Sequence, residues 1–218
     1  IIIEISKMYF LTPELYFPPA SETSPEGIIA VGGDLSPERL LLAYQNGIFP
    51  WYDNDEPKLW WCPEERMVLF FENLRITKSM KKIIIRKEFQ VTFNTAFRAV
   101  ISNCQQAPRK DQDGTWISDE IIEAYCKLHE LGHAKSIEVW QNNELVGGLY
   151  GIDLGDVFCG ESMFSKVPNA SKVAFIHLAK QLELANYKLL DCQVYNNHLE
   201  SLGCIEIERE EFLAILKS

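Results

Sequence analysis

Apolar residues recur at helical spacing in four segments of this chain and run in extended patterns through four others. Ser36, Pro37 and Glu38 supply a cap, a first-turn proline and a first-turn acid. They predict a helix over 37–46, closed by Gly47 as a left-handed C-terminal residue. Ser118, Asp119 and Glu120 predict a second helix to Leu131, with Ile121, Ile122, Tyr125, Leu128 and Leu131 on its apolar face and Gly132 as its stop. A long amphipathic helix is predicted from Asn169-Ala170-Ser171 to Ala185, and a short one over 209–217. Residues 136–141 and 144–153 read as strands joined by an Asn142-Asn143 turn. Residues 156–164 read as a further extended run, and 189–195 as a strand. Three strands, a helix and a strand in one sheet make a mixed α/β (α+β) layer. Pro63 marks the expected boundary between a smaller N-terminal α/β domain, residues 1–62, and a larger one, 63–218.

With 218 residues the chain can bury a full core, and its 47% hydrophobic content is that of an ordinary soluble protein. No apolar stretch reaches the length of a membrane span. The first ten residues carry an acid and no basic run, so no secretory leader is expected there. Six cysteines are spread widely without a Cys-x-x-Cys pair, which predicts reduced, mostly buried thiols, a cytoplasmic setting and no zinc held by them.

Net charge is −10, which by itself argues against a nucleic-acid partner. Its distribution reverses that. Residues 75–110 hold nine cations and one acid, a net +8, against −18 for the remainder. Lys78, Lys81, Lys82 and Arg86 fall along one side of a helix if that stretch is helical, with Lys87 beside them. Repeated cations suit phosphate contacts, and equally a solvated basic helix on an acidic body.

His129-Glu130-Leu131-Gly132-His133 matches the His-Glu-x-x-His zinc pattern. That chemistry needs both histidines on one helical face and a third ligand. Gly132 is expected to end the helix first, and neither His177 nor His198 stands at a recognised third-ligand spacing. No metal is expected.

Residues 26–61 crowd glycine turns and the aromatics Phe49, Trp51, Tyr52, Trp60 and Trp61 into one run. A small aromatic core explains them as well as a binding surface does. The run EGIIAVGGDLSPERLLLAYQNGIFPW at 26–51, followed by WWCPEERMVL at 60–69, resembles the leucyl/phenylalanyl-tRNA–protein transferase family. Gly114-Thr115-Trp116-Ile117, the block Glu123–Gly132, Val146–Gly151, Gly160–Ser165, Ala170–Ala174 and Asp191–Val194 fit the same family. The resemblance extends from about Phe17 to Leu216. It implies an N-acetyltransferase-like mixed sheet and transfer of Leu or Phe, with Met weaker, from aminoacyl-tRNA to proteins that start with Arg or Lys. The products are marked for N-end-rule degradation. The basic segment would then meet the tRNA acceptor arm.

Residue by residue, the resemblance carries catalytic roles onto Glu161, Asp191 and Gln193. Alternation along a strand would put Asp191 and Gln193 on one face. It also implies an aminoacyl pocket of Leu149, Phe158, Met163, Phe175, Leu178 and Leu190, although core packing accounts for the same pattern. Trp51 and Trp116 would stack on the terminal adenosine. An aminoacyl ester is already activated, so aminolysis needs no cofactor. No dimer seam is visible, and a monomer is expected. An acyl-CoA-dependent N-acetyltransferase would need a glycine-rich pyrophosphate loop, where residues 165–171 read Ser-Lys-Val-Pro-Asn-Ala-Ser. A non-catalytic tRNA-binding module would use the basic segment alone.

Overall fold

The computed structural model describes residues 8–53, 56–107 and 115–218. Residues 1–7, Arg109, Lys110 and Gly114 lie outside the described residues, and with them the expectation for the first residues and two cations of the basic segment. A four-stranded sheet comes first: β1 (Phe10–Leu11), β2 (Ile28–Gly32), β3 (Phe49–Pro50) and β4 (Leu59–Trp61), in the order β1-β2-β4-β3. Helix α1 (Pro37–Gln45) links β2 to β3. Ser36 Oγ accepts from the Arg39 N–H at its start, and Gly47 leaves it at φ 74°, as the caps predict.

The second half of the fold opens with β5 (Glu65–Leu69), α2 (Lys78–Ile85), β6 (Gln90–Phe93) and α3 (Phe97–Gln106). Helix α4 (Asp119–Glu130) follows, capped by Ser118 Oγ on the Ile121 N–H, and then β7 (Ala134–Gln141) and β8 (Glu144–Asp153). Asn142 and Asn143 turn that hairpin at φ 52° and 63°, the mirror-image turn that the Asn pair predicts. The chain continues through β9 (Val157–Ser165), α5 (Ala170–Leu184), β10 (Leu189–Gln193), α6 (Asn197–Ser201), β11 (Ile205–Glu208) and α7 (Arg209–Lys217).

These strands form a seven-stranded sheet in the order β11-β5-β10-β9-β8-β7-β6. Every neighbouring pair is antiparallel except β9 and β10. A parallel pair needs a crossover, and α5 supplies it. The parallel ladder runs only from Leu189↔Val157 to Asp191↔Cys159, although β9 continues to Ser165. A gap therefore opens between the two strands at the C-terminal end of β10. Helix α5 packs over one face of the sheet against Leu149, Phe158 and Leu190, while α3, α4 and the small sheet share the other apolar cluster.

Three differences from the sequence expectation stand out. The sheet gains β5, β6 and β11. Helix α3 is an addition, with no side-chain cap of its own. The predicted strand 189–195 stops at Gln193, whose φ of 66° breaks the extended path and shifts its register against β5.

Candidate active site

A cavity of about 700 Å³ fills the gap between β9 and β10. Its apolar wall brings together Leu149, Met163, Phe175, Leu178 and Leu190, as expected, and adds Cys192. Phe158 is not on that wall; it is 2% exposed, in the core cluster with Leu149, Phe175 and Leu190. Trp51 and Trp116 line the cavity with Phe49 and Pro50. The Trp51 ring leans on Trp61, centroids 5.5 Å apart at 51°, and its carbonyl accepts from the Trp61 indole N–H. Those contacts fix one edge of Trp51 and leave it part-exposed.

The polar part of the lining includes Glu161 and Gln193, beside Ser162, Tyr195, Asn196 and His198. Gln193 Nε2 donates to Glu161 Oε1 at 2.7 Å, and the Tyr125 hydroxyl donates to Glu161 Oε2 at 3.2 Å. Tyr44 and Tyr125 share a hydrogen bond between their hydroxyls. Burial pushes the Glu161 carboxyl up to about 7, although the bonds from Tyr44, Gln193 and Tyr125 favour its charged form. Burial, with Glu161 beside them, raises both tyrosines well above the usual phenol range, so they remain donors. A side-chain amide has one donating end. Because that end is committed to Glu161, the Gln193 carbonyl oxygen is the part of the amide left to accept.

Asp191 lies behind Gln193. It is 0% exposed and does not line the cavity. Arg66 grips it through Nε on Oδ1 at 2.8 Å and Nη2 on Oδ2 at 2.7 Å, the two-pronged geometry that guanidinium and carboxylate share. Oδ1 also accepts the Gln193 backbone N–H at 2.9 Å. Asp191 thus holds the backbone of Gln193 in its left-handed conformation. Arg66 is itself buried, donates Nη1 to the Gly47 carbonyl at 3.0 Å and sits between the rings of Phe49 and Phe212, 4.7 and 4.6 Å from their centroids. Gly47 sits at φ 74°, which disfavours other residues, and an added Cβ would come within 2.6 Å of Leu213 Cδ2, so that side chain would have to shift.

Lys78, Lys81 and Lys82 project from α2 into solvent, and Arg86 and Lys87 are exposed just beyond its end. The helix that their spacing required is present. The His-Glu-x-x-His segment is not one helical face, since α4 ends at Glu130 and Gly132 turns away at φ 90°. His129 Nδ1 is engaged with the Ala134 carbonyl and its ring stacks on Phe97 at 4.4 Å. Among the described residues no group of three or more His, Cys, Asp or Glu could hold a metal ion.

Sequence reasoning passed over Arg66 and Tyr44, and read Tyr125 only as core. An arginine placed between Pro63 and the apolar run Met67–Leu69 was the available signal for a buried, paired cation.

The mixed sheet, parted between its two parallel strands over this cavity, has the N-acetyltransferase-like fold. The crystal structure of FemX shares that fold over 79% of this chain and 66% of its own, with a TM-score of 0.50 at 9% identity. Residues 68–217 match the family described as leucyl/phenylalanyl-tRNA protein transferase, and residues 33–64 match its N-terminal domain. Proteins named leucyl/phenylalanyl-tRNA–protein transferase are 68% identical in Flavobacterium johnsoniae, over 97% of this chain and all of the relative. The relative in Flavobacterium psychrophilum is 62% identical over 96% of this chain and all of its own length. That in Shewanella pealeana is 54% identical over 92% of this chain and 85% of its own. The chain belongs to the leucyl/phenylalanyl-tRNA–protein transferase family.

Proposed function

We propose that the cavity between β9 and β10 receives the aminoacyl end of Leu- or Phe-tRNA and that the chain transfers the amino acid to the N-terminus of a protein. The observation that carries this is the pairing of an apolar wall with the Gln193–Glu161 hydrogen bond in one cavity. The wall takes the Leu or Phe side chain, and an extra methylene costs such a site only about 1–3 kcal/mol of discrimination, so Met is a weaker donor. Trp51 and Trp116 offer faces for the terminal adenine.

In the reaction the neutral α-amine of the acceptor attacks the ester carbonyl. A C–N bond forms, the C–O bond to ribose breaks, and the amine proton ends on the ribose oxygen, directly or relayed through water. The Gln193 carbonyl oxygen accepts a hydrogen bond from the amine and turns its lone pair toward the ester. An amide is too weak a base to take the proton outright, so Gln193 orients. Glu161 fixes the amide and positions the aminoacyl end. Asp191 is a positioning residue, acting through the Gln193 backbone under the hold of Arg66.

The exposed cations of α2 meet the acceptor arm. Acceptors begin with Arg or Lys, consistent with the acidic remainder of the chain, and the products enter N-end-rule degradation. The division of labour follows the chain: residues 1–62 bring Trp51 and the Gly47 carbonyl, and residues 63–218 the pocket and polar pair. No helix among the described residues is long and apolar enough to cross a membrane. A cytoplasmic monomer is the proposed form.

Titrating the protein with leucyl-tRNA, uncharged tRNA and acetyl-CoA tests the assignment. Tighter binding of the leucyl form supports it. Equal binding of both tRNAs favours an RNA-binding module, and acetyl-CoA binding a different acyl donor.

A further inference from the structure

Two cations outside α2, Arg75 and Lys172, have no part in the reaction described above. The segment leading into α2 is fixed to the end of α6: the Arg75 N–H donates to the Leu202 carbonyl at 2.8 Å. The contact is close enough that a Cβ on Gly203 would lie 2.0 Å from the Asn73 carbonyl oxygen. Arg75, itself exposed, thereby joins α2 to α6. On α6, His198 is half-buried and lines the cavity. Burial, and after it the charge of Lys172 in the first turn of α5, disfavours protonation of His198. Phe175, one turn further along α5, is on the cavity wall. Lys172 pairs with no carboxylate among the described residues. The nearest acid on α6, Glu200, is instead held by the Tyr195 hydroxyl at 2.7 Å.

A lysine without a carboxylate, one helical turn before the cavity wall residue Phe175 and near the cavity-lining His198, lacks an anion. We infer that Lys172 and His198 bind the phosphodiester nearest the aminoacyl end of the donor. Cations from α2 through Arg75 to Lys172 then form one track along which the RNA strand enters the cavity. This rests on the aminoacyl-tRNA reading, and it names phosphate contacts that neither the pocket nor α2 supplies.

Two minimal donors separate the effects: leucyl-adenosine, which has no phosphodiester, and the leucyl ester of the trinucleotide CpCpA, which has two. The quantity measured is the ratio of kcat/KM for the trinucleotide over leucyl-adenosine. Lys172→Gln should lower that ratio about tenfold, the weight of one charge-assisted contact. It should also flatten the salt slope of log kcat/KM for the trinucleotide by about 0.7. Lys172→Arg should restore both. A ratio and slope equal to wild type, or an equal loss on the two donors, would overturn the inference. No transfer by the wild type from Leu-tRNA or either small donor would overturn the aminoacyl reading beneath it.

Discussion

Gln193 Nε2 and Glu161 Oε1 lie 2.7 Å apart, joined across the gap between two strands that have stopped pairing. This bond decides which end of the amide is free. Gln193→Ala removes the acceptor without touching the apolar wall, so kcat should fall about 100-fold while the KM for the donor holds. Single-turnover transfer at saturating Leu-tRNA checks this, and a rate near that of wild type would sink the role of Gln193.

Glu161 links the site to pH. Its carboxyl is pushed up to about 7, against an ordinary value of 4.5, so folding takes up a proton between those pH values. Its contribution to stability is complete below pH 4.5 and is lost as pH rises through about 7. Glu161→Gln deletes this titration. Urea midpoints of the variant should therefore fall less between pH 4.5 and 7 than those of wild type. Parallel curves for the two proteins would count against a raised Glu161.

Arg66 and Asp191 are both fully enclosed, and each satisfies the other. Arg66→Ala leaves a buried carboxylate without its partner, which should cost about 3–5 kcal/mol in urea denaturation. Arg66→Lys cannot reproduce the two-pronged contact and should recover only part of that loss. A loss under about 1 kcal/mol for Arg66→Ala would show the pair to be dispensable.

Trp51 and Trp116 both line the cavity. Replacing either by Ala should raise the KM for Leu-tRNA roughly 10- to 100-fold, the range of a lost base-stacking contact of about 1–3 kcal/mol. Donor KM values within twofold of wild type for both variants would remove the adenine from that position.

Much of this architecture is written locally in the chain. The capped starts of α1 and α4, the Asn142-Asn143 hairpin and the span of α5 follow from cap, turn and period rules that act within a few residues. The unread elements depend on distant partners. Helix α3 is preceded by Ala96, whose N–H is taken by the Glu138 carboxylate 42 residues away at 3.3 Å. Strand β5 lies inside the sheet between β10 and the edge strand β11, and no short-range signal shows which strands will flank it. The site divides in the same way. Glu161, Gln193, both tryptophans and most of the apolar wall were accessible through family blocks. That Asp191 would sit behind Gln193, and Phe158 in the core, was not. Strand alternation places Asp191 and Gln193 as equals. The φ of 66° at Gln193 and the Arg66 grip on Asp191 separate them, and both arise from tertiary contacts.

The account as a whole is most directly tested by transfer of labelled leucine from Leu-tRNA, without ATP, to two peptides that differ only in beginning with Arg or Ala. It predicts a leucyl product on the Arg peptide alone. No product on either peptide, with tRNA still bound at low salt, would contradict it and leave an RNA-binding protein whose Gln193–Glu161 pair has no chemistry to perform.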